Sequence, residues 1–275
     1  VMAVGDYVRK NRFTGVVIGL SGGIDSALVT CLAVDALGKE NVEVLLMPSR
    51  YTAAMSVNDS VKLADNLGIP HHIISIEQAF TAFVDVLEPL FRQLPADTTE
   101  ENIQARCRGI LLMAVSNKSR KLVLTTGNKS EMSVGYATLY GDMAGGYAPL
   151  KDVSKLLVYR LSRWRNTRSE VIPLRIIERP PSAELRHDQK DEDSLPPYEI
   201  LDPILERYIE QDQSPQQIIN DGFRRDDVIR VTRLVDQSEY KRRQAAPGVK
   251  ITSRSFGRER RYPITSGYRE ESETD

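Results

Sequence analysis

The sequence predicts an α/β fold, a doubly wound parallel sheet with a helical C-terminal extension. Val16, Val17 and Ile18 form a wholly apolar, β-branched run, which suits a strand buried on both faces of a parallel sheet. That run ends in a glycine-rich turn, Gly19-Leu20-Ser21-Gly22-Gly23-Ile24-Asp25-Ser26, and a helical pattern starts at Asp25. Further apolar strands and amphipathic helices then alternate at βαβ spacing, which implies parallel strands joined by right-handed crossovers.

Each element has its own signal. A short helical pattern over residues 4–10 leads into the first strand. The segment from Asp25 to Leu37 carries Ala27, Leu28, Cys31, Leu32, Val34 and Ala36 and stops at Gly38. Val42 to Met47 reads as the second strand, Asn58 to Leu67 as a helix closed by Gly68, and His71 to Ile76 as the third strand. Glu77 to Phe91 is helical, and Pro95 breaks it. Thr98 and Glu101 offer a capping box for a long helix through Ala114. Lys121 to Thr126 is the fourth strand, running into Thr126-Gly127-Asn128-Lys129-Ser130-Glu131 at the edge where open α/β sheets bind ligands. The stretch from Tyr136 to Lys151 is rich in glycine and long for a loop, hence functional or mobile. A helix over Ser154 to Arg165 precedes Pro173, Pro180 and Pro181, which stop regular structure. Residues 181–197 then carry too many charges and prolines for core, and on composition read as a disordered linker or as a loop that orders over the reaction intermediate. Glu199 to Gln211, a Ser214-Pro215 helix start and one long helix from Arg224 to Arg243 complete the extension. The division expected is an α/β core over 1–170 and a loop and helical extension over 171–275.

Composition bounds the rest. The chain has 275 residues, 41% of them hydrophobic, enough for a sizeable core. A net charge of −1 gives no global argument for nucleic acid or membrane. Charge is nevertheless uneven: residues 241–261 are strongly basic and the segment from Asp188 to Glu199 is acidic. Cys31 and Cys107 fall within apolar helical patterns, which suits core packing in a reducing compartment, and no cluster suggests zinc. No apolar run approaches the ~20 residues of a membrane span, so a cytoplasmic location is expected. The start at Val1 suggests a fragment or a processed chain.

The glycine-rich turn carries chemistry. Adjacent glycines let the backbone approach a ligand closely, and the amides opening the next helix favour an anion. Ser21 and Ser26 add hydroxyls. Asp25 belongs near phosphates only if a divalent cation bridges them, so the stretch predicts a nucleotide pyrophosphate with Mg²⁺. Neither G-x-x-x-x-G-K-[ST] nor G-x-G-x-x-G occurs in the chain. Ser21-Gly22-Gly23-Ile24-Asp25-Ser26 instead resembles the PP-loop of the ATP pyrophosphatases, which split ATP into AMP and pyrophosphate while activating a carboxylate or similar oxygen. That resemblance implies a Rossmann-like, adenine nucleotide alpha-hydrolase-like core.

Further blocks follow in order: residues 102–106, 126–131, 141–146, Lys151-Asp152, 179–185 and 239–244. Together with the loop they resemble the NAD synthetase family over nearly the whole chain, in spelling the synthetase half of its glutamine-dependent members. His187 departs from the pattern, standing where the family more often has proline. The resemblance implies ATP-dependent amidation of deamido-NAD to NAD through an NAD-adenylate, with release of AMP and pyrophosphate. It also implies an N-terminal glutaminase domain, whose catalytic set nothing here supplies, so that this chain alone would use free ammonia. A homodimer or larger homo-oligomer is implied, with no nucleic acid or membrane partner. A different AMP-forming PP-loop ligase, such as a GMP synthetase or a tRNA-modifying enzyme, and a nucleotide-binding regulatory domain are the alternatives; the absence of a strongly basic balance argues against tRNA.

By the same resemblance, Gly19, Leu20, Ser21, Gly22, Gly23, Ile24, Asp25 and Ser26 hold ATP, with Met47, Thr126, Lys155 and Ser182. Asn102, Arg106, Glu131, Asp142 and Lys241 face deamido-NAD, and Asp25 and Glu131 are the catalytic, Mg²⁺-binding pair. The residues themselves leave alternatives open: Met47 as plain core, Glu131 as a helix-start residue, and Asn102, Arg106 and Lys155 on solvated helix faces.

Overall fold

The computed structural model describes residues 1–265 apart from 93, 188, 190 and 258. Its centre is a parallel sheet of β1 (Val16–Gly19), β2 (Val42–Leu46), β3 (His71–Ile73) and β4 (Leu122–Leu124), in the order β3-β2-β1-β4. Val16 stands opposite both Val42 and Leu122, which fixes the register on either side of β1. Because side chains alternate along a strand, the sheet feeds two cores. Val16, Ile18, Val44, Leu46 and Leu124 point into one apolar cluster; Val17, Leu45 and Val123 point into another.

The first cluster is covered by α1 (Met2–Lys10), α2 (Ile24–Leu37) and α3 (Ala54–Leu67), and the second by α4 (Glu77–Phe91) and α5 (Thr98–Ser119). α6 (Lys129–Val134) follows β4, and α7 (Lys155–Arg168) and α8 (Leu174–Glu178) return to the first face, where Val158, Ile176 and Ile177 are buried. β1 is flanked by strands entered in opposite directions of the chain, so the crevice at the C-terminal ends of β1 and β4 is the ligand position of such a sheet.

The extension has an apolar cluster of its own. α9 (Tyr198–Leu205), α10 (Pro215–Asn220) and α11 (Arg225–Gln237) bury Leu201, Ile204, Ile218, Val228, Val231 and Val235 together, with Val134 of α6 at the seam. α12 (Glu239–Arg242) follows.

Several expectations need correction. The capping box of α5 is Asp97 with Glu100, one residue earlier than Thr98 with Glu101, and the helix runs on to Ser119. α3 begins at Ala54, and β3 is only three residues long. α4 ends at Phe91, where Arg92 turns left-handed, before Pro95 is reached. Pro173 opens α8 instead of ending regular structure, as a proline at a helix start can. The helix expected through Gln211 widens after Leu205 into a π-helical turn, Glu206–Glu210. The helix expected from Arg224 to Arg243 breaks at Ser238. Arg242 folds back there, donating to the Val235 carbonyl at 2.6 Å and the Ser133 carbonyl at 2.7 Å, so the second piece caps the first. Residues 181–197 are not a solvated linker: Gln189, Asp191 and Leu195 are buried, and the Asp191 carboxylate accepts from the Tyr198 hydroxyl at 2.8 Å. Asp188 and Arg258, which contribute to the charge runs, lie outside the described residues.

The glycine-rich stretch is anchored too. Thr125 N–H donates to the Tyr147 carbonyl, Gly146 N–H to that of Val123, and Tyr147 bridges to Leu124. Gly145 makes this possible, since a Cβ there would stand 2.5 Å from Thr125 Cγ2. Cys31 and Cys107 are buried and unpaired. Among the described residues no helix is long and apolar enough to cross a membrane.

Candidate active site

A cleft of about 260 Å³ opens at the C-terminal ends of β1, β2 and β4. Its floor is the glycine-rich turn, all of whose residues from Gly19 to Ser26 line it. The turn is self-braced. Ser26 Oγ donates to the Gly23 carbonyl at 2.9 Å, Gly23 N–H donates to Ser21 Oγ at 3.2 Å, and the two serine hydroxyls lie 3.1 Å apart. Gly22 has φ +82°, and a Cβ there would stand 2.6 Å from the Ser56 carbonyl oxygen, so only glycine fits. Gly23 caps α2, whose first amides have no acceptor within the helix and give this end of the cleft its partial positive charge.

Three elements bring charge to the same place. Asp25 comes from the first turn of α2, Glu131 from the first turn of α6, and Lys155 opens α7. Lys155 Nζ donates to Asp25 Oδ2 at 2.5 Å and to Glu131 Oε1 at 3.4 Å, and its side chain is 3% exposed. The solvated helix face left open for Lys155 is therefore excluded. Burial opposes its charge, but the two carboxylates outweigh burial and hold the ammonium above the ordinary lysine range. Burial pushes Glu131 in the opposite direction, well above the carboxylate range; Lys155 opposes that shift and the Asp25 charge adds to it. Asn128 ties the carboxylates together, its Nδ2 donating to Asp25 Oδ1 at 2.9 Å and its Oδ1 capping Glu131 N–H at 3.0 Å. Glu131 is thus both the helix-start residue and a wall of the cleft. Asp191, raised by burial, adds another nearby negative charge.

Of the other residues singled out in the sequence, Met47, Thr126, Asp142 and Ser182 line the cleft. Met47 does so while remaining buried. Asn102, Arg106 and Lys241 line neither this cleft nor its smaller neighbour. They converge on the back of one wall. Asn102 Oδ1 accepts from Thr138 Oγ1 at 2.8 Å, Arg106 Nε donates to the Leu139 carbonyl at 3.2 Å, and Lys241 Nζ donates to the carbonyls of Gly135 and Ala137, each at 2.7 Å. Asp142, on the same segment, accepts from Thr138 N–H at 2.7 Å, and burial pushes its carboxyl up to about 6. Behind Thr126, Glu131 and Asp142 lies a pocket of about 70 Å³, walled by Met132, Ala137, Met143, Ala148 and Ala245 among others.

Sequence reasoning missed Arg108 and, although it singled out the block 179–185, gave no role to Arg179 or Glu184; all three line the cleft. Arg108 Nε donates to the Met47 carbonyl at 3.0 Å, and burial pulls the guanidinium down to about 10. Its signal was available: with Ala105, Gly109 and Leu112 it sits on the inward stripe of α5, where a cation is out of place. Glu184 reaches back to Ser56 Oγ at 2.6 Å and pairs with Arg179 at 3.0 Å, pinning residues 179–185 over the turn. No local pattern announces that pairing.

A family model described as NAD synthase matches residues 1–245. The glutamine-dependent NAD(+) synthetase of Acinetobacter baylyi is 57% identical over 271 residues, 98% of this chain and 50% of that protein. Among solved structures, the glutamine-dependent NAD+ synthetase of Acinetobacter baumannii in complex with ADP shares 52% identity with a TM-score of 0.65, covering 96% of this chain and 48% of that one. The NMN synthetase of Francisella tularensis shares 28% identity with a TM-score of 0.72, covering 86% and 90%. The chain thus spans about half the length of the curated relatives it matches.

Proposed function

The chain belongs to the NAD synthase family, and on that premise we propose that it joins ammonia to the nicotinate carboxylate of deamido-NAD at the expense of ATP. The observation that carries the reading is the meeting of a phosphate-cradling turn with the Asp25–Lys155–Glu131 cluster in one cleft. The turn's amides and the Ser21 and Ser26 hydroxyls hold the β,γ-phosphates, and Lys155 and Arg108 add fixed positive charge. The carboxylate oxygen attacks the α-phosphorus, the bond to the bridging oxygen breaks, and pyrophosphate leaves with the electron pair. Ammonia then adds to the carbonyl carbon of the adenylate and loses a proton, and AMP departs. Preorganised charge in a buried site does most of this work, since the step moves negative charge onto a leaving group.

The two carboxylates fit Mg²⁺. Asp25 and Glu131 bring hard oxygens together around Lys155 Nζ beside the phosphate turn, and Mg²⁺, typically held by one or two carboxylates plus substrate phosphates, would share them with that ammonium. When bound, Mg²⁺ supplies charge neutralisation of the phosphates. The small pocket behind Asp142 is a suitable size for ammonia, and Asp142, ionised above about pH 6, is placed to accept the proton of an incoming ammonium. In this reading Asn102, Arg106 and Lys241 bind deamido-NAD at the back of that wall.

Glutamine is not the nitrogen source for this chain acting by itself. Cys31 is buried, with its thiol pushed up to about 12 by burial, and burial raises Cys107 as well. Two buried, unpaired thiols also suit the reducing cytoplasm. A partner glutaminase domain supplies ammonia in the longer protein. Exposed apolar residues of α4 and α5, among them Phe83, Val86 and Ile110, support a homodimer.

Incubation of the chain with ATP, MgCl₂, ammonium and a panel of acceptors tests the reading. Equimolar AMP, pyrophosphate and NAD are expected with deamido-NAD. No product, or faster turnover of xanthosine monophosphate or of the deamido precursor of NMN, would overturn it.

A further inference from the structure

α6 is six residues long, and its two faces do different things. Asn128, which caps it, and Glu131 face the cleft; Lys129 and Ser130 face away into the C-terminal extension. Lys129 belongs to no chemistry proposed above, yet its side chain is 5% exposed and its Nζ is surrounded. It donates to Glu210 Oε1 at 2.7 Å, Thr252 Oγ1 at 2.7 Å and the Arg254 carbonyl at 3.0 Å, and it forms an ion pair with Asp152 Oδ1 at 2.8 Å.

Two of those acceptors lie on the segment that follows α12. The segment is laid flat against the core over its whole approach. Lys151 Nζ donates to the Ala246 carbonyl at 2.7 Å, Ala148 N–H donates to the Pro247 carbonyl at 2.8 Å, and a Cβ on Gly248 would stand 2.5 Å from the Ala148 carbonyl oxygen. Asp152 then clamps the segment, its Oδ2 accepting from Ile251 N–H at 2.7 Å and Thr252 N–H at 2.8 Å. Thr252 Oγ1 joins clamp to cation, touching Asp152 at 2.8 Å and Lys129 at 2.7 Å. On the neighbouring position Ser130 Oγ accepts from Lys155 N–H at 2.9 Å and donates to Asp202, which also receives Leu156 N–H at 2.8 Å.

We propose that residues 246–254 are a strap that positions the catalytic face of α6, acting through the buried Lys129–Asp152–Thr252 knot. A helix this short has little stability of its own, so its orientation is set by what grips it. A buried ammonium with all its acceptors in place is directional and expensive to disturb, and a fully satisfied polar network specifies one arrangement. Lys129 and Thr252 are positioning residues: neither lines the cleft or the small pocket behind it, which only Ala246 of the strap borders, but the knot fixes the helix that carries Asn128 and Glu131, and through them Asp25 and Lys155. The catalytic consequence rests on the reading above. The mechanical claim does not.

Thr252→Val keeps the shape of the side chain and removes the hydroxyl, and Thr252→Ser keeps the hydroxyl. Amide hydrogen exchange of the whole chain without substrates is the first readout. Expected is about 10-fold faster exchange at residues 129–134 in T252V, unchanged exchange in β1 and α2, and recovery to within about 2-fold of wild type in T252S. Unchanged exchange at α6, or a uniform rise over β1 and α2, overturns the strap. Steady-state kinetics is the second readout: kcat about 10-fold lower in T252V, KM for ATP within about 2-fold, and T252S near wild type, the range seen when supporting shells of a site are disturbed. Loss of equal size in T252S overturns the role of the hydroxyl. Should T252V fail to fold, Asp152→Asn removes the charge of the clamp and carries the same expectations. A wild-type chain without ligase activity would sink the proposed function, and the exchange comparison would still decide the strap.

Discussion

Residues 19–26 and residues 246–254 serve the same cleft and are held in different ways. In the first segment the turn itself is held locally: Ser21, Gly23 and Ser26 bond to one another and the helix that follows supplies the free amides, while Asp25 alone is tied to distant side chains, Asn128 and Lys155. In the second they are distant. Thr252 meets Lys129 and Asp152, and Pro247 meets Ala148, each across about a hundred residues or more of chain. The first segment touches ligand in the proposed reaction, and the second fixes a helix that does. Local constraint leaves a readable motif; distant constraint leaves ordinary residues that acquire their role only in the fold.

The largest test of this contrast is Asp25→Asn. Removing one charge from the cluster should reduce adenylation by ~10³-fold with the fold intact, as measured by AMP release and circular dichroism. Turnover near wild type would take Asp25 out of the chemistry. Gly22→Ala acts on backbone geometry instead. With φ at +82° and the Ser56 carbonyl in the way, it should cost about 1–3 kcal/mol in urea unfolding and abolish detectable ATP binding. An alanine variant that binds ATP normally would show that the turn is less constrained than described.

Arg108→Met should weaken ATP about 10-fold in a calorimetric titration while leaving unfolding within about 1 kcal/mol, because the side chain enters the cleft through a single backbone contact. Equal ATP affinity would relegate Arg108 to packing. The smallest expected effect is on pH dependence. The folded chain raises the Asp142 carboxyl to about 6, so it binds this proton more tightly than the unfolded chain does. The contribution favours folding below the unfolded-state value and is lost as pH rises through about 6. Asp142→Asn should therefore gain stability relative to wild type between about pH 4 and pH 6, with no further change above. A pH-independent difference would contradict the burial argument.

The same division explains what the sequence made legible. β1, its turn and α2 follow from a β-branched run, two adjacent glycines and a helical pattern, all within one short stretch. The parallel order of the sheet follows from alternation. The capping box of α5 was misplaced by one residue because Asp97 and Thr98 are both competent caps and both have a Glu three residues on, a choice that local chemistry leaves open. The break at Ser238 was invisible because the apolar spacing of α11 shows where the helix is buried, while Arg242 ends it by reaching carbonyls of α6 and of α11 itself. Lys155 read equally well as a solvated residue until α2 and α6 brought Asp25 and Glu131 to it. Arg108 and the Glu184–Arg179 pair were missed for different reasons. A cation on the inward stripe of α5 was legible but was not weighed, and within the recognised block 179–185 nothing in the spelling shows that Glu184 reaches Ser56 and Arg179.

In the proposed reaction the turn and the Asp25–Lys155–Glu131 cluster form an adenylate on a nicotinate carboxylate before ammonia arrives. Isotope exchange between pyrophosphate and ATP, measured without ammonium, tests it most directly. Exchange should require Mg²⁺ and deamido-NAD together and should disappear in D25N. Exchange in the absence of the dinucleotide, or none under any of these conditions in an otherwise active chain, would contradict the account.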